Sequence, residues 1–188
     1  MKVAIIGAGT IATKMARTVA ALEETESYAI ASRSLDKAQA FADKWGVKKA
    51  YGSYEEMLAD NAVDLVYAAL PHSHHYEWTI KALRAGKHVL CEKPLAVNAK
   101  QAQEMIALAE SKKLLLAEAM WSRYLPSAKI ITDIIARGDI GEVMTVAANV
   151  GDCNYMNERL MKPETHDACR LHDACRLSPC AHCAFFRA

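Results

Sequence analysis

Val3-Ala4-Ile5-Ile6-Gly7-Ala8-Gly9-Thr10-Ile11-Ala12 joins a short apolar run to a glycine-rich turn and then to the start of an amphipathic stretch. The apolar run reads as a buried strand. Gly7-x-Gly9-x-x-Ala12 directly after it has the spacing of a strand–turn–helix unit that receives a phosphate-bearing nucleotide. In such a unit Gly7 permits the tight turn, Gly9 lets the backbone approach a pyrophosphate, and Ala12 is small enough for a helix to lie against a strand. The helix N-terminus adds free N–H donors and the positive end of a dipole. Gly7, Gly9, Thr10 and Ile11 are therefore candidate cofactor contacts. A glycine turn alone also fits a plain strand-to-helix junction; its place at the head of a repeating strand–helix pattern favours dinucleotide binding.

The pattern runs outward from that turn to Glu118. After the strand at 3–6, a helix presents Ile11, Met15, Val19 and Leu22 as the stripe expected to face a sheet. Tyr28 to Ser32 reads as a second strand, with a helix from about Leu35 that Ser34 caps. Ser53 and Glu56 form a capping box for a short helix. Leu65 to Ala69 and His88 to Cys91 are further strands, separated by a helix from Glu77 to Ala85 that Gly86 ends in a left-handed conformation. Asn98 caps a helix expected to bury Ala102, Met105, Ile106 and Ala109, and Leu114 to Ala117 closes the sheet. This alternation predicts an α/β fold, a Rossmann-type doubly wound parallel sheet over residues 1–120. Beyond Pro126 the pattern changes to a helix marked by Ile130, Ile131, Ile134 and Ile135, then a strand from Val143 to Val150. Residues 121–164 thus read as the beginning of an α+β substrate domain.

Candidate chemistry lies at the ends of the strands. Ala31-Ser32-Arg33-Ser34 carries no acid at the tip of the second strand, where a carboxylate would accept from a ribose 2′-hydroxyl. Arg33 can instead grip a 2′-phosphate, with help from the hydroxyl of Ser32 or Ser34. NADP is accordingly preferred, with Asp36 left as a ribose ligand should the cofactor be NAD. In Leu70-Pro71-His72-Ser73-His74-His75, read as a loop, no acid or cysteine completes a metal site. Leu70, Pro71, His72 and His75 are expected to contact the cofactor, and no metal is expected. Cys91-Glu92-Lys93-Pro94 ends another strand. Glu92 and Lys93 are cofactor candidates, and Lys93 is the candidate catalytic and substrate-binding group, because an ammonium there can protonate or stabilise the oxygen of a carbonyl that receives hydride. The plain alternative is a surface ion pair of Glu92 with Lys93. Trp121 and Arg123, in Glu118-Ala119-Met120-Trp121-Ser122-Arg123-Tyr124-Leu125-Pro126, either wall a substrate or pack a seam between domains.

Composition narrows the partners. The 23 basic and 22 acidic side chains nearly cancel, so no long-range field attracts nucleic acid or an anionic membrane. Apolar residues occur only in short runs, and Met1-Lys2-Val3 leads into a strand without a signal-peptide layout, so a cytoplasmic protein with small-molecule partners is expected. Of six cysteines only Cys91 lies in the first 150 residues, which is reducing-compartment usage. From His166 the sequence His-Asp-Ala-Cys-Arg-Leu repeats at once, ending at Leu177. Either His166, Cys169, His172, Cys175, Cys180 and Cys183 form a zinc knuckle, or residues 165–188 are an aberrant tail from a lost coding frame or an assembly error. The abrupt change in mid-domain favours the second.

Gly7-Ala8-Gly9-Thr10-Ile11-Ala12, Cys91-Glu92-Lys93-Pro94-Leu95 and Glu118-Ala119-Met120-Trp121-Ser122-Arg123 together resemble the Gfo/Idh/MocA oxidoreductases. The third motif is similar to the branch holding the dimeric dihydrodiol dehydrogenases and NADP-dependent D-xylose dehydrogenases. The resemblance extends from Met1 to about Pro163 and implies a second domain, truncated here, that supplies substrate contacts and often a dimer interface. It implies that Lys93 is the motif lysine beside nicotinamide and substrate. The expected activity is hydride transfer between NADP (NAD as the alternative) and a sugar, polyol or dihydrodiol-like compound, reduced or lost in so short a chain. A non-catalytic dinucleotide sensor is the rival reading, and homo-oligomers are expected of full-length relatives.

Overall fold

A computed structural model describes residues 1–147. The chain divides into one unit of Met1–Ala119 and a second that starts at Met120. In the first unit, strands β1 (Lys2–Ile6), β2 (Glu26–Ala31), β3 (Lys49–Tyr51), β4 (Leu65–Ala68), β5 (His88–Cys91) and β6 (Leu116–Glu118) alternate with helices. These are α1 (Thr10–Ala20), α2 (Leu35–Trp45), α3 (Tyr54–Ala59), α4 (His72–Arg84) and α5 (Ala99–Ser111). All six strands run parallel in the order β3-β2-β1-β4-β5-β6. The chain winds outward from β1 to β3, returns to β4 beside β1, and winds outward again to β6. The fold is an α/β Rossmann sheet, as the alternating sequence pattern predicts.

Burial follows from the two-residue period of the strands. Ala4 and Ile6 of β1 face a core completed by Tyr54, Met57 and Leu58 of α3, Ala82 and Leu83 of α4 and Ala109 of α5. Ile5 faces the opposite core, built with Ala12 and Ala16 of α1 and Ala38, Phe41 and Ala42 of α2. With helices on both faces, every residue of β4 is buried, which is why its sequence is continuously apolar rather than alternating. Complete burial of a side chain such as Ile5 or Ile6 stabilises the fold by roughly 1.5–3 kcal/mol.

Several boundaries differ from the sequence expectation. The buried face of α1 is Ala12, Ala16 and Val19, while Ile11 and Leu22 are 38% and 53% exposed. Small side chains let the helix come close to the sheet, and Ile11 sits one position round from that face. In α5, Met105 and Ala109 are buried, Ala102 is half-buried and Ile106 is exposed. Helix α4 begins at His72, five residues before the expected Glu77, because Pro71 supplies a pre-set φ of −58° with extended ψ at its cap. The histidines thus belong to its first turns, not to a loop. β3, at three residues, is too short to show a period in the sequence. Strand β6 is shifted two residues at its start, to Leu116–Glu118.

In the second unit, a 3-10 helix (Trp121–Tyr124) precedes α6 (Pro126–Ala136), and Gly138 at φ +74° follows. The expected strand at 143–150 is not present over 143–147, where no ladder partner occurs among the described residues; its remainder lies outside them. The tail at 165–188 and the cysteine–histidine cluster within it also lie outside the described residues.

One half-buried carboxylate ties the β2–β3 edge to the loop after α3. Asp60 accepts from the hydroxyls of Tyr28 (2.9 Å) and Tyr51 (2.7 Å), the Lys49 ammonium (2.8 Å) and the Ala62 N–H (2.9 Å). Lys49 first, then Tyr51, hold its carboxyl well below the usual carboxylate range. A carboxylate depressed in the fold stabilises it above the unfolded-state value of about 3.9 and loses that contribution as pH falls further. Urea unfolding followed against pH is expected to show wild-type stability declining below pH about 4, and Asp60→Asn flattening that decline while lowering stability at neutral pH. An unchanged acid limb in Asp60→Asn would exclude Asp60 as its source.

Candidate functional site

Parallel pairing brings the strand ends to one rim. Ile6, Ala68 and Cys91 stand opposite one another in β1, β4 and β5. The ladders run one residue further: Gly7 N–H donates to Ala31 O (2.9 Å), Ala69 N–H to Ile6 O (2.9 Å) and Glu92 N–H to Ala68 O (3.1 Å). The turns at residue 9 and residue 93 therefore leave the sheet on the same carboxyl rim, two strand spacings or about 10 Å apart. Between them lies the point where the strand order reverses, where open α/β sheets bind ligands.

The two glycines of the first turn sit in different environments. Gly7 is buried at φ +97°, and a Cβ on it would lie 2.4 Å from the carbonyl oxygen of Ala69. Gly9 is exposed and extended, at φ −95°, and a Cβ there would meet nothing within 4 Å. Gly9 is also the cap residue of α1, where no side chain caps the first-turn amides. Thr10 and Ile11, both exposed, carry amides with no helical acceptor. The site offers an anion uncommitted N–H donors and space for close approach.

At the end of β2, Ser32 is buried and its N–H donates to Tyr51 O (3.1 Å). Arg33 is exposed, with no hydrogen bond or ion pair among the described residues. Burial raises the Tyr54 hydroxyl, and the nearby Arg33 charge offsets part of that rise. The Ser34 hydroxyl accepts from Lys37 N–H as the cap of α2, and Asp36 is exposed in its first turn. A guanidinium with no hydrogen bond or ion pair among the described residues thus stands next to a strand end that has no acid.

At the β4 and β5 ends, Leu70, Pro71 and His72 are half-buried, whereas His75 is wholly buried. Its Nδ1 lies 2.8 Å from Pro94 O and its Nε2 2.9 Å from Leu70 O, so both nitrogens are engaged inside the protein. Glu92 accepts at Oε1 from the Tyr67 hydroxyl and at Oε2 from Lys93 N–H (3.1 Å). Burial first, and then Glu92, raise the Tyr67 hydroxyl far above its ordinary range, which keeps it a donor. The Lys93–Pro94 peptide is cis. Lys93 itself is exposed, and its ammonium has no hydrogen bond or ion pair among the described residues. Burial pushes the Cys91 thiol up to about 12, so it stays protonated and is no nucleophile.

Tyr67 and Glu118 were not among the sequence candidates. The signal for Tyr67 was a polar-tipped residue in an otherwise aliphatic, fully buried strand, which requires a partner for its hydroxyl. Glu118 Oε1 accepts from Leu95 N–H (2.8 Å). Trp121 and Arg123 lie on the 3-10 helix of the second unit, where Arg123 N–H donates to Met120 O (3.0 Å) and Trp121 is largely exposed. Among the described residues no cluster of three histidine, cysteine or acidic side chains could hold a metal ion, and no helix is long and apolar enough to cross a membrane.

A six-stranded parallel sheet with a glycine turn at its switch point defines an NAD-binding Rossmann domain of the oxidoreductase class. Residues 1–120 match the oxidoreductase family with NAD-binding Rossmann fold, Gfo/Idh/MocA, and the chain belongs to that family. It is 40% identical over 149 residues to trans-1,2-dihydrobenzene-1,2-diol dehydrogenase from Mus musculus, covering 78% of this chain and 45% of the relative. It is 38% identical to KijD10, a 3-ketoreductase from Actinomadura kijaniata crystallised with NADP and TDP-benzene. That likeness has a TM-score of 0.70 over 76% of this chain and 44% of the other. An NAD binding oxidoreductase from Klebsiella pneumoniae is 37% identical with a TM-score of 0.69, covering 76% of this chain and 40% of that one. The chain thus spans less than half the length of these relatives.

The two glycines are expected to separate folding from binding. Gly7→Ala meets both a positive φ and the Ala69 carbonyl, so it should cost about 2–3 kcal/mol in urea unfolding. Gly9→Ala loses only a modest capping preference, under about 1 kcal/mol, while weakening dinucleotide binding measured by fluorescence. Equal destabilisation by the two substitutions would show that the turn does not work this way.

Proposed function

We propose that this chain is the cofactor-binding part of an oxidoreductase that transfers hydride between NADP, in preference to NAD, and a sugar, polyol or dihydrodiol-like substrate. The observation that carries the proposal is the set of uncommitted groups on one rim: the α1 amides after β1, the Arg33 guanidinium after β2 and the Lys93 ammonium after β5. In this reading Gly7, Gly9, Thr10 and Ile11 receive the pyrophosphate, and Ser32 and Arg33 the 2′-phosphate. Leu70, Pro71, His72 and Glu92 border the remainder of the cofactor.

The dinucleotide, when bound, accepts or delivers the hydride. Lys93 does the matching proton work: in the reducing direction its ammonium gives a proton to the carbonyl oxygen as carbon takes the hydride, and in oxidation the amine takes the hydroxyl proton. Trp121 and Arg123 would contact the substrate. The similar proteins support this choice, since one is a diol dehydrogenase and another a ketoreductase crystallised with NADP. A cytoplasmic location and a homo-oligomeric whole protein belong to the same proposal. A purely sensing protein is disfavoured, because it has no need of an exposed ammonium on so firmly held a turn.

Fluorescence titration of the chain tests the cofactor assignment. NADPH is expected to bind at least about tenfold more tightly than NADH, and Arg33→Ala to remove about 10–100-fold of NADPH affinity, as befits lost charge-assisted hydrogen bonds. Equal affinities, or an Arg33→Ala variant that binds NADPH like wild type, would refute the NADP preference. Lys93→Met is expected to leave NADPH affinity within about threefold of wild type, since its task is proton transfer rather than holding the nucleotide.

A further inference from the structure

The segment from Glu92 to Leu95 leaves the sheet, so its backbone polar groups lose the ladder and need other partners. Four of them are met by side chains. Lys93 N–H donates to Glu92 Oε2 (3.1 Å), and Glu92 Oε1 is in turn held by the Tyr67 hydroxyl from inside β4. Pro94 O receives His75 Nδ1 (2.8 Å) from α4. Leu95 N–H donates to Glu118 Oε1 (2.8 Å) at the end of β6. The Cys91 thiol donates weakly to Leu95 O (3.8 Å). Three elements outside the turn thus fix three successive residues.

We propose that Tyr67, His75 and Glu118 are positioning residues that hold the Lys93 ammonium in place, with His75 joining the turn to the loop after β4. The proposal rests on the reading of Lys93 as the group that works beside the nicotinamide. His75 is suited to the link because its two ring nitrogens lie on opposite edges of a rigid plane and reach the carbonyls of Leu70 and Pro94 at once. A carbonyl oxygen only accepts, so a neutral ring donates to one of the two at a time, and an apolar residue at 75 would offer neither a donor. The Tyr67 hydroxyl is buried, and an unpartnered hydroxyl there would be costly, which makes its bond to Glu92 a firm anchor rather than a passing surface contact. The pyrophosphate and 2′-phosphate groups are assigned to turns after β1 and β2, on the far side of β4. Loosening the clamp should therefore disturb the lysine with little loss of nucleotide binding, since it adjoins the cofactor border only at Leu70 and Glu92 and none of the proposed phosphate contacts. Misplacing a reacting group by about 1 Å can cost on the order of 100-fold in rate, so a device that fixes the turn has a clear use.

The test is amide NMR on the full chain, with NADP as the probe. Without nucleotide, Tyr67→Phe is expected to speed hydrogen exchange at the Lys93 amide, Glu118→Gln at Leu95, and His75→Leu at both, each about fivefold to tenfold. The core amides of Ile5 and Val66 should stay at wild-type rates, which a general loss of stability would not allow. His75→Gln, which keeps an N–H donor, should restore part of the protection. With NADP, wild type should show a shift of the Lys93 amide signal at saturation; Tyr67→Phe and His75→Leu should bind within about threefold of wild type, yet lose at least about half of that shift. Unchanged exchange at residues 93 and 95 in all three variants would overturn the clamp. A wild-type Lys93 amide that ignores saturating NADP would instead overturn the placement of Lys93 beside the cofactor, while the exchange rates still decide the clamp. Should His75→Leu fail to fold, Tyr67→Phe and Glu118→Gln carry the same readouts, each removing or altering a single polar group.

Discussion

No side chain fits at Gly7, because a Cβ there would lie 2.4 Å from the carbonyl oxygen of Ala69 and 3.2 Å from Cδ2 of Leu70. That contact lets the turn after β1 and the turn after β4 converge at the switch point of the sheet. It also fixes where α1 begins, and hence where its first-turn amides stand. Ala12 and Ala16 then allow α1 to lie low on the sheet, both being completely buried. The close approach of turn, helix and sheet depends on three choices in the sequence, glycine at 7 and alanine at 12 and 16, which leave room for backbone where side chains would ordinarily be.

The molecule separates polar groups that are used up by the fold from those left over. In the first unit, α2, α3 and α5 are capped by Ser34, Ser53 and Asn98. Helices α1 and α4, which begin at the switch point, have no side-chain cap. Inside, the buried Lys87 ammonium is held by the carbonyls of Asp60 (2.8 Å) and Val63 (2.9 Å), far from the rim where Lys93 stands. His75, Tyr67 and Glu118 are likewise committed to the protein. Uncommitted along the rim, among the described residues, are the first-turn amides of α1, the Arg33 guanidinium and the Lys93 ammonium, all suited to anions or to a carbonyl oxygen.

The features legible in the sequence were those set by neighbours along the chain. Apolar runs located the strands, Ser34 and Asn98 announced their helices, and Gly86 adopts φ +77° where a helix ends. The features that escaped are set by contacts across the fold. Ile11 and Ile106 carry the right period for burial, yet the sheet surface is reached by the smaller residues beside them, so both stay exposed. Residues 72–76 lack apolar periodicity, which hid the first turns of α4. The sequence around His75 looks like a loop, because nothing local records that Leu70 and Pro94 converge on its ring. The partnership of Tyr67 with Glu92 spans 25 residues and depends on β4 lying beside β5. Only the topology makes them neighbours.

The same topology orders the uncommitted groups and so constrains any ligand that uses them together. Along the rim the order is β2, β1, β4, β5, which places Arg33 at one end, the α1 amides next to it and Lys93 at the other end. From β2 to β5 is three strand spacings, about 14 Å. A ligand that met all three would have to be extended, with one anionic group near Arg33, another opposite the amides of α1, and a neutral or oxygen-bearing end at Lys93. A mononucleotide would reach only part of that line. Under the proposed function, a dinucleotide with a 2′-phosphate has its charges in that sequence, and its reduced, uncharged nicotinamide ring would stand where hydride and the ammonium could reach the same carbonyl.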